Sequence, residues 1–104
     1  MTATRDKTRD LVAPQRLGLD TRVEFRKEAI QALEALPEGA GCLSIDLSKT
    51  RQVDSAGLGV LMLIQRRAAE RRQVVVLRQP NDEIRFLLAI TKLAGLFTIE
   101  PATS

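Results

Sequence analysis

Apolar residues in this chain fall into blocks that alternate between strand and helix periodicity. Leu11, Val12 and Ala13 form a short apolar run closed by Pro14, which confines it to a sheet edge or a strand end. Leu17-Gly18-Leu19-Asp20-Thr21 has turn composition, and Asp20 or Thr21 is placed to cap a first helix that runs to about Leu36. In that helix Val23, Ile30 and Leu33 form one stripe, flanked by Phe25, Ala29 and Leu36. Pro37-Glu38-Gly39-Ala40-Gly41 ends it. Cys42 to Leu47 is the clearest strand, with Leu43, Ile45 and Leu47 alternating with Cys42, Ser44 and Asp46. Ser48 to Asp54 reads as a connecting loop with Val53 pinned into the core, and a second helix covers about Ala56 to Arg72. Gln73 to Arg78 is a β-branched run typical of a buried strand. Pro80-Asn81-Asp82 is a turn that caps a third helix, about Asp82 to Leu93, which Gly95 stops. Leu96 to Ile99 reads as a terminal strand.

Strands alternating with helices at this spacing predict an α/β domain. Its parallel or mixed sheet has about four strands, right-handed crossovers and helices packed on it. The segments 42–47 and 73–78 are expected inside that sheet, because they are the most apolar and β-branched runs.

The second helix carries apolar residues on two sides. Leu58, Leu61, Met62 and Gln65 share one face, continued by Ala68 and Ala69. Val60, Leu63 and Ile64 point roughly the other way and are followed on that side by Arg67 and Arg71. A helix lying on a sheet needs one apolar face. The second face either packs under another element or is an exposed binding patch rimmed by arginine, and the sequence weighs these evenly.

Composition narrows the function classes. At 104 residues, 44% hydrophobic and 28% charged, the chain is one small globular domain. The domain is expected over 11–100, with polar tails at 1–10 and 101–104, the first of them mobile. Three Phe and no Tyr or Trp leave an aliphatic core and no platforms for stacking bases, so direct nucleic-acid binding is not expected despite a net charge of +3. The absence of histidine excludes His-dependent triads and imidazole metal sites. Cys42 alone forms no disulfide or thiolate cluster. No apolar run is long enough to span a bilayer and no secretory segment follows the N-terminus, so the cytoplasm is the expected compartment. With no paired carboxylates at suggestive spacing either, no enzyme activity, metal or cofactor is expected.

Asp54-Ser55-Ala56-Gly57-Leu58-Gly59 lies between a strand-like run and the second helix. Free backbone N–H groups and a positive dipole end tolerate an added phosphate there, which makes Ser55 a candidate regulatory phosphorylation site rather than a nucleophile. The competing reading makes Ser55 a simple N-cap, with Gly57 and Gly59 easing a tight turn. Gly57-Leu58-Gly59 lacks the lysine and the full glycine spacing of a phosphate-binding loop.

Taken in order, these pieces resemble the STAS domain from about Leu17 to Ile99. Leu17-Gly18-Leu19-Asp20 resembles the family's G-x-L-D turn. Ile45 to Ser48, then Val53 to Gly59, resemble its strand, loop and D-S-[STA]-G-L-G phosphorylation motif. Val74 to Leu77 is similar to the next strand, and Ile84 through Leu96-Phe97 to the final helix and the residues after it. Within the family, the anti-sigma factor antagonist branch implies phosphorylation at Ser55 by a partner that is both serine kinase and anti-sigma factor. The unphosphorylated protein binds that partner and frees a sigma factor, and a serine phosphatase resets it. With the second apolar face of the helix supplying Val60, Leu63, Ile64 and Arg67, the expected partner-binding surface is Asp20, Asp54, Ala56, Gly57, Leu58, Gly59, Val60, Leu63, Ile64 and Arg67, on a monomer or weak dimer. Other branches imply a non-switched STAS subunit of a lipid-transport or signalling assembly. The family opens with two strands before the G-x-L-D turn. Here Leu11 to Leu19 alone is available and Pro14 interrupts it, which implies a shortened sheet edge.

Overall fold

The computed structural model describes residues 7–101; the expected tails at 1–6 and 102–104 lie outside that range. Four strands, β1 (Thr8–Val12), β3 (Cys42–Asp46), β5 (Val74–Arg78) and β6 (Thr98–Glu100), form one sheet in that order, every pair parallel. A second, two-stranded parallel sheet joins β2 (Arg16–Leu17) to β4 (Gln52–Val53). The helices are α1 (Arg22–Ala35), α2 (Ser55–Glu70) and α3 (Asp82–Ile90), followed by a short 3-10 turn at Ala94–Leu96. The α/β class and the interior positions of the 42–47 and 73–78 segments match the expectation.

The strand order is sequential, and that decides where the helices go. Right-handed crossovers that always step the same way leave every helix on one side of the sheet. Leu43, Ile45, Val75 and Leu77 point to that side and are almost wholly buried. Their alternates Cys42, Asp46, Val74 and Arg78 face the other way and keep partial or full exposure. On that open face Arg78 reaches Asp10 at 4.0 Å and Glu100 at 3.8 Å, pairs too exposed to contribute more than about 1 kcal/mol each. Burial pushes the Cys42 thiol up, and the carboxylates of Glu100 and Asp10 add to it.

The N-terminus departs from expectation. β1 begins at Thr8, three residues before the apolar run, so 8–10 of the expected tail are in the sheet. Both strands before the turn are present, and Pro14 sits in the break between them. Buried Thr50 holds this break in place by donating its hydroxyl to the Pro14 carbonyl at 2.8 Å. The terminal strand also starts later, at Thr98; Leu96 belongs to the 3-10 turn and Phe97 is buried behind it.

The helices lie within a residue or two of their expected spans, apart from α3, which stops three residues early at Ile90. Their buried faces differ. In α1 the core stripe is Phe25, Ala29 and Leu33, continued by Leu36, whereas Val23 is 50% exposed and Ile30 is half-buried. In α2 the buried arc is Gly57, Val60, Leu61, Ile64 and Ala68. Val60 at 6% and Ile64 at 0% exposure are core residues, which removes both from any exposed patch, and Met62 at 41% lies outside the core. The second apolar face is therefore covered in large part by α1, which packs against α2. Only Leu63 of the expected trio stays half-buried at the surface.

Gln73, also buried, closes the C-terminal end of α1. Its amide nitrogen donates to the carbonyls of Leu33 at 2.9 Å and Leu36 at 3.1 Å, adding to the bond that the Leu33 carbonyl already accepts from the Leu36 N–H. Ile64 gives the clearest test of the revised core. Ile64→Ala should cost roughly 2–5 kcal/mol in urea-denaturation free energy, the range for removing a fully buried aliphatic side chain. A cost below about 1 kcal/mol would return this face to the surface.

Candidate functional site

The start of α2 is held by one carboxylate. Asp54 is the N-cap: its Oδ1 accepts from the Gly57 N–H at 2.9 Å, as the first turn of a helix requires. Its Oδ2 accepts from the Leu19 N–H at 3.2 Å, across 35 residues of sequence. Its own N–H donates to the Leu17 carbonyl at 3.2 Å. Three segments, the 17–19 turn, the end of β4 and the first turn of α2, thus meet on Asp54. The Gly57 N–H chiefly, helped by Leu19, Ala56 and the charge of Arg16, holds the Asp54 carboxyl below the usual carboxylate range.

Two glycines make this junction possible. A Cβ at Gly18 would overlap the Asp54 carboxylate, and one at Gly57 would overlap the Leu17 carbonyl oxygen. Gly59 is different: nothing lies within 4 Å of where its Cβ would stand. The turn before α1 is closed by Thr21, whose hydroxyl donates to the Arg16 carbonyl at 2.7 Å and accepts from the Gly18 N–H at 3.1 Å. Thr21 is the N-cap of α1 by position, and its side chain makes no capping bond to that helix. Asp20 is exposed on the same turn, one residue from the Leu19 N–H that Asp54 holds.

Ser55 is the first helical residue of α2 and is exposed. It is not the cap, so the N-cap reading of Ser55 is corrected to Asp54. Ser55 shares a depression of about 500 Å³ with Ala56, Gly59, Val60 and Leu63 from α2 and with Arg22, Val23 and Arg26 from α1. Arg67 lies further along, with Leu63 and Arg26, in an adjoining depression. Of the expected surface, Ser55, Ala56, Gly59, Leu63 and Arg67 are therefore brought together along the α1–α2 seam. Gly57 is buried, and Leu58 packs against the core. The contribution of α1, Arg22 and Arg26, was not singled out in the sequence; their spacing of four on one helix was the available signal. No group of three His, Cys, Asp or Glu residues is assembled among the described residues. Among them, no helix is long and apolar enough to cross a membrane.

Comparison with known proteins places this geometry. Residues 4–99 match the family model described as "Mlab, STAS domain". No curated protein matches the chain by sequence. Among solved structures, a candidate anti-sigma factor antagonist of Thermotoga maritima, TM1081, is similar with TM-score 0.80 at 23% identity, covering 93% of this chain and 81% of that one. The anti-sigma factor antagonist SpoIIAA in its unphosphorylated form is similar with TM-score 0.72 at 15% identity, over 94% and 83%. A sulfate transporter family protein from Wolinella succinogenes has TM-score 0.69 at 12% identity, over 91% and 78%. At these identities the likeness is one of fold.

Two glycines two positions apart should respond oppositely to the same change. Gly57→Ala should destabilise the fold, because the added methyl meets backbone that cannot move aside. Gly59→Ala should stabilise it by about 1 kcal/mol, the helix-propensity difference with no steric cost. Thermal denaturation of both variants checks this, and a loss of stability at Gly59 would show a contact that the open space denies.

The depressed carboxyl of Asp54 gives a pH signature. A group that titrates lower when folded stabilises fully above its unfolded value, near about 3.9, and loses that contribution as pH falls through the folded value. Asp54→Asn can still accept from Gly57 but opposes its own amide N–H to that of Leu19. The variant should be less stable at neutral pH and should lack part of the wild-type loss of stability on acidification below about pH 4. Urea midpoints measured across that range read both effects.

Proposed function

The chain belongs to the STAS domain family, and we propose that within it the protein is a cytoplasmic, non-enzymatic anti-sigma factor antagonist switched at Ser55. Unphosphorylated, it binds an anti-sigma factor that is also its serine kinase and so frees a sigma factor. Phosphorylated, it lets go until a serine phosphatase resets it.

One observation carries this reading: Ser55 is exposed at the first turn of α2 yet takes no part in capping it. A phosphate there adds between about 1.5 and 2 negative charges at pH 7. The positive end of the helix accepts that charge, and Asp54 already makes the bonds that hold the turn. The fold therefore tolerates the modification. An interface seated over Ser55 does not, because it gains bulk and unpaired charge. The binding surface in this reading consists of Asp20, Ser55, Ala56, Gly59, Leu63 and Arg67. Asp54, Gly57 and Leu58 support it from below, and Val60 and Ile64 are left out as core.

A second reading is a STAS subunit held permanently in a lipid-transport or signalling assembly. The Mlab description of the matching family model and the transporter-family structural neighbour favour it. In that reading Ser55 carries no phosphate and the same surface is always covered.

Ser55→Ala should fold with a stability change within about 0.5 kcal/mol, since no cap is lost. It should bind the anti-sigma factor constitutively. Ser55→Glu should fold equally well and bind more weakly, in part only, because it supplies one charge of the phosphate's nearly two. The deciding measurement is affinity for the cognate anti-sigma factor with and without stoichiometric phosphate on Ser55. Equal affinities would remove the switch in favour of the permanent subunit.

A further inference from the structure

The seam between α1 and α2 has a charge pattern that the switch alone does not explain. The depression at Ser55 continues into a second one of about 400 Å³, the two sharing Arg26 and Leu63. Together they are lined by four cationic residues, Arg22, Arg26, Lys27 and Arg67, and by no carboxylate. None of the four forms an ion pair among the described residues. α1 also carries Glu24, Glu28 and Glu34, but none of them lines the seam. The floor between the cations is apolar: Val23 is 50% exposed, and Ile30 and Leu63 are half-buried.

We propose that this seam is a groove for an acidic amphipathic helix of a partner protein. The proposal rests on the reading of the Ser55 end of α2 as a partner-binding surface. Three observations select the occupant. Four unpaired cations around an apolar strip complement a helix with one apolar stripe flanked by Asp or Glu. Beyond their first turns both walls are helices whose backbone groups are already paired, so an extended segment would find few hydrogen-bond partners along the seam, whereas a helix satisfies its own. Ser55, Gly59, Leu63 and Arg67 recur every fourth residue of α2, and this i+4 row is a ridge of the kind against which another helix packs. The row spans about 18 Å, or three helical turns. Gly59 leaves the row open at one point, so the incoming helix can approach α2 next to Ser55. A phosphate on Ser55 would lie in the same depression as Arg22 and Arg26, where it would compete with the partner's carboxylates for those guanidiniums.

The probe is a fluorescent synthetic amphipathic helix of about 15 residues, with Leu along one stripe and Glu on its flanks. Its control has every Glu replaced by Lys. Fluorescence anisotropy with the full chain should show the acidic helix bound at least about tenfold more tightly than the basic one, with affinity falling as salt rises. Arg26→Glu should weaken it about tenfold by charge. Gly59→Leu should weaken it comparably by filling the groove. Phe86→Glu, on the exposed side of α3, should leave it unchanged. Acidic and basic helices binding alike, or Arg26→Glu and Gly59→Leu both binding as wild type does, would overturn the groove whatever happens at Ser55. Binding an oligothymidine strand as tightly as the acidic helix would overturn it as well, in favour of a general polyanion surface. If wild type and chain carrying stoichiometric phosphate on Ser55 bind the acidic helix equally, the groove stands and the competition between phosphate and the partner's carboxylates falls.

Discussion

The Asp54 carboxylate is the point on which the rest of this structure turns. It fastens the 17–19 turn, the end of β4 and the first turn of α2, segments that would otherwise meet only through short backbone pairings. The glycines at 18 and 57 are required because the carboxylate and the Leu17 carbonyl occupy the space a side chain would need. With Asp54 and Gly57 accounted for by the fold, two other residues of the 54–59 stretch stand out. Neither Ser55 nor Gly59 is demanded by packing or capping, and a glycine inside a helix is a net cost. Residues that the fold does not need, on a surface the fold presents, are where a requirement from outside the chain enters.

The sheet order supplies that surface. Sequential parallel strands with crossovers of one hand put α1 and α2 side by side on one layer. Their contact buries the outer flank of α2, including Val60 and Ile64, and leaves a seam whose walls come from two helices far apart in the chain, Arg22–Ala35 and Ser55–Glu70. The seam begins at the fastened turn, so Ser55 and the α1 cations are held in a constant relation by Asp54 and the 17–20 turn. The same carboxylate that closes the fold thereby sets the geometry of the candidate interface.

Most of the architecture was legible in the chain because its signals are local. The β-branched run at 74–77 and the alternation at 42–47 mark strands with little dependence on their neighbours. Three features were hidden, each for a physical reason. β1 starts among Thr8, Arg9 and Asp10 because an edge strand is held by backbone pairing to β3, and pairing leaves no trace in hydropathy. In α2, Leu58, Met62 and Leu63 border the buried arc on both sides, so apolar residues cover more than half the helix. Periodicity then shows that the helix is buried without showing where the arc is centred; α1 decides that. In α1 the reverse occurs: Val23 and Ile30 fit a helical stripe but serve the seam, while the core takes Phe25, Ala29 and Leu33. Of the site, the motif was readable and its α1 wall was not, since the spacing of four puts Arg22 and Arg26 on one helix face without joining that face to Ser55.

The division of labour within the motif also bears on how a switch can work without unfolding. At a helix N-terminus, a phosphate on the cap residue would have to replace the capping bonds. A phosphate on the next residue leaves them alone. Here Asp54 holds the cap and already brings a negative charge to the same turn, so a neighbouring phosphate meets repulsion from Asp54. Attraction from the helix end and from the guanidiniums of Arg22 and Arg26 opposes that repulsion. Because these opposing effects act on exposed groups in water, each is small for the fold. Beneath a docked partner the same groups are desolvated, and an uncompensated charge becomes far more costly. A phosphate on Ser55 would thus act weakly on the chain alone and strongly beneath a partner, which is the asymmetry that the proposed binding switch needs.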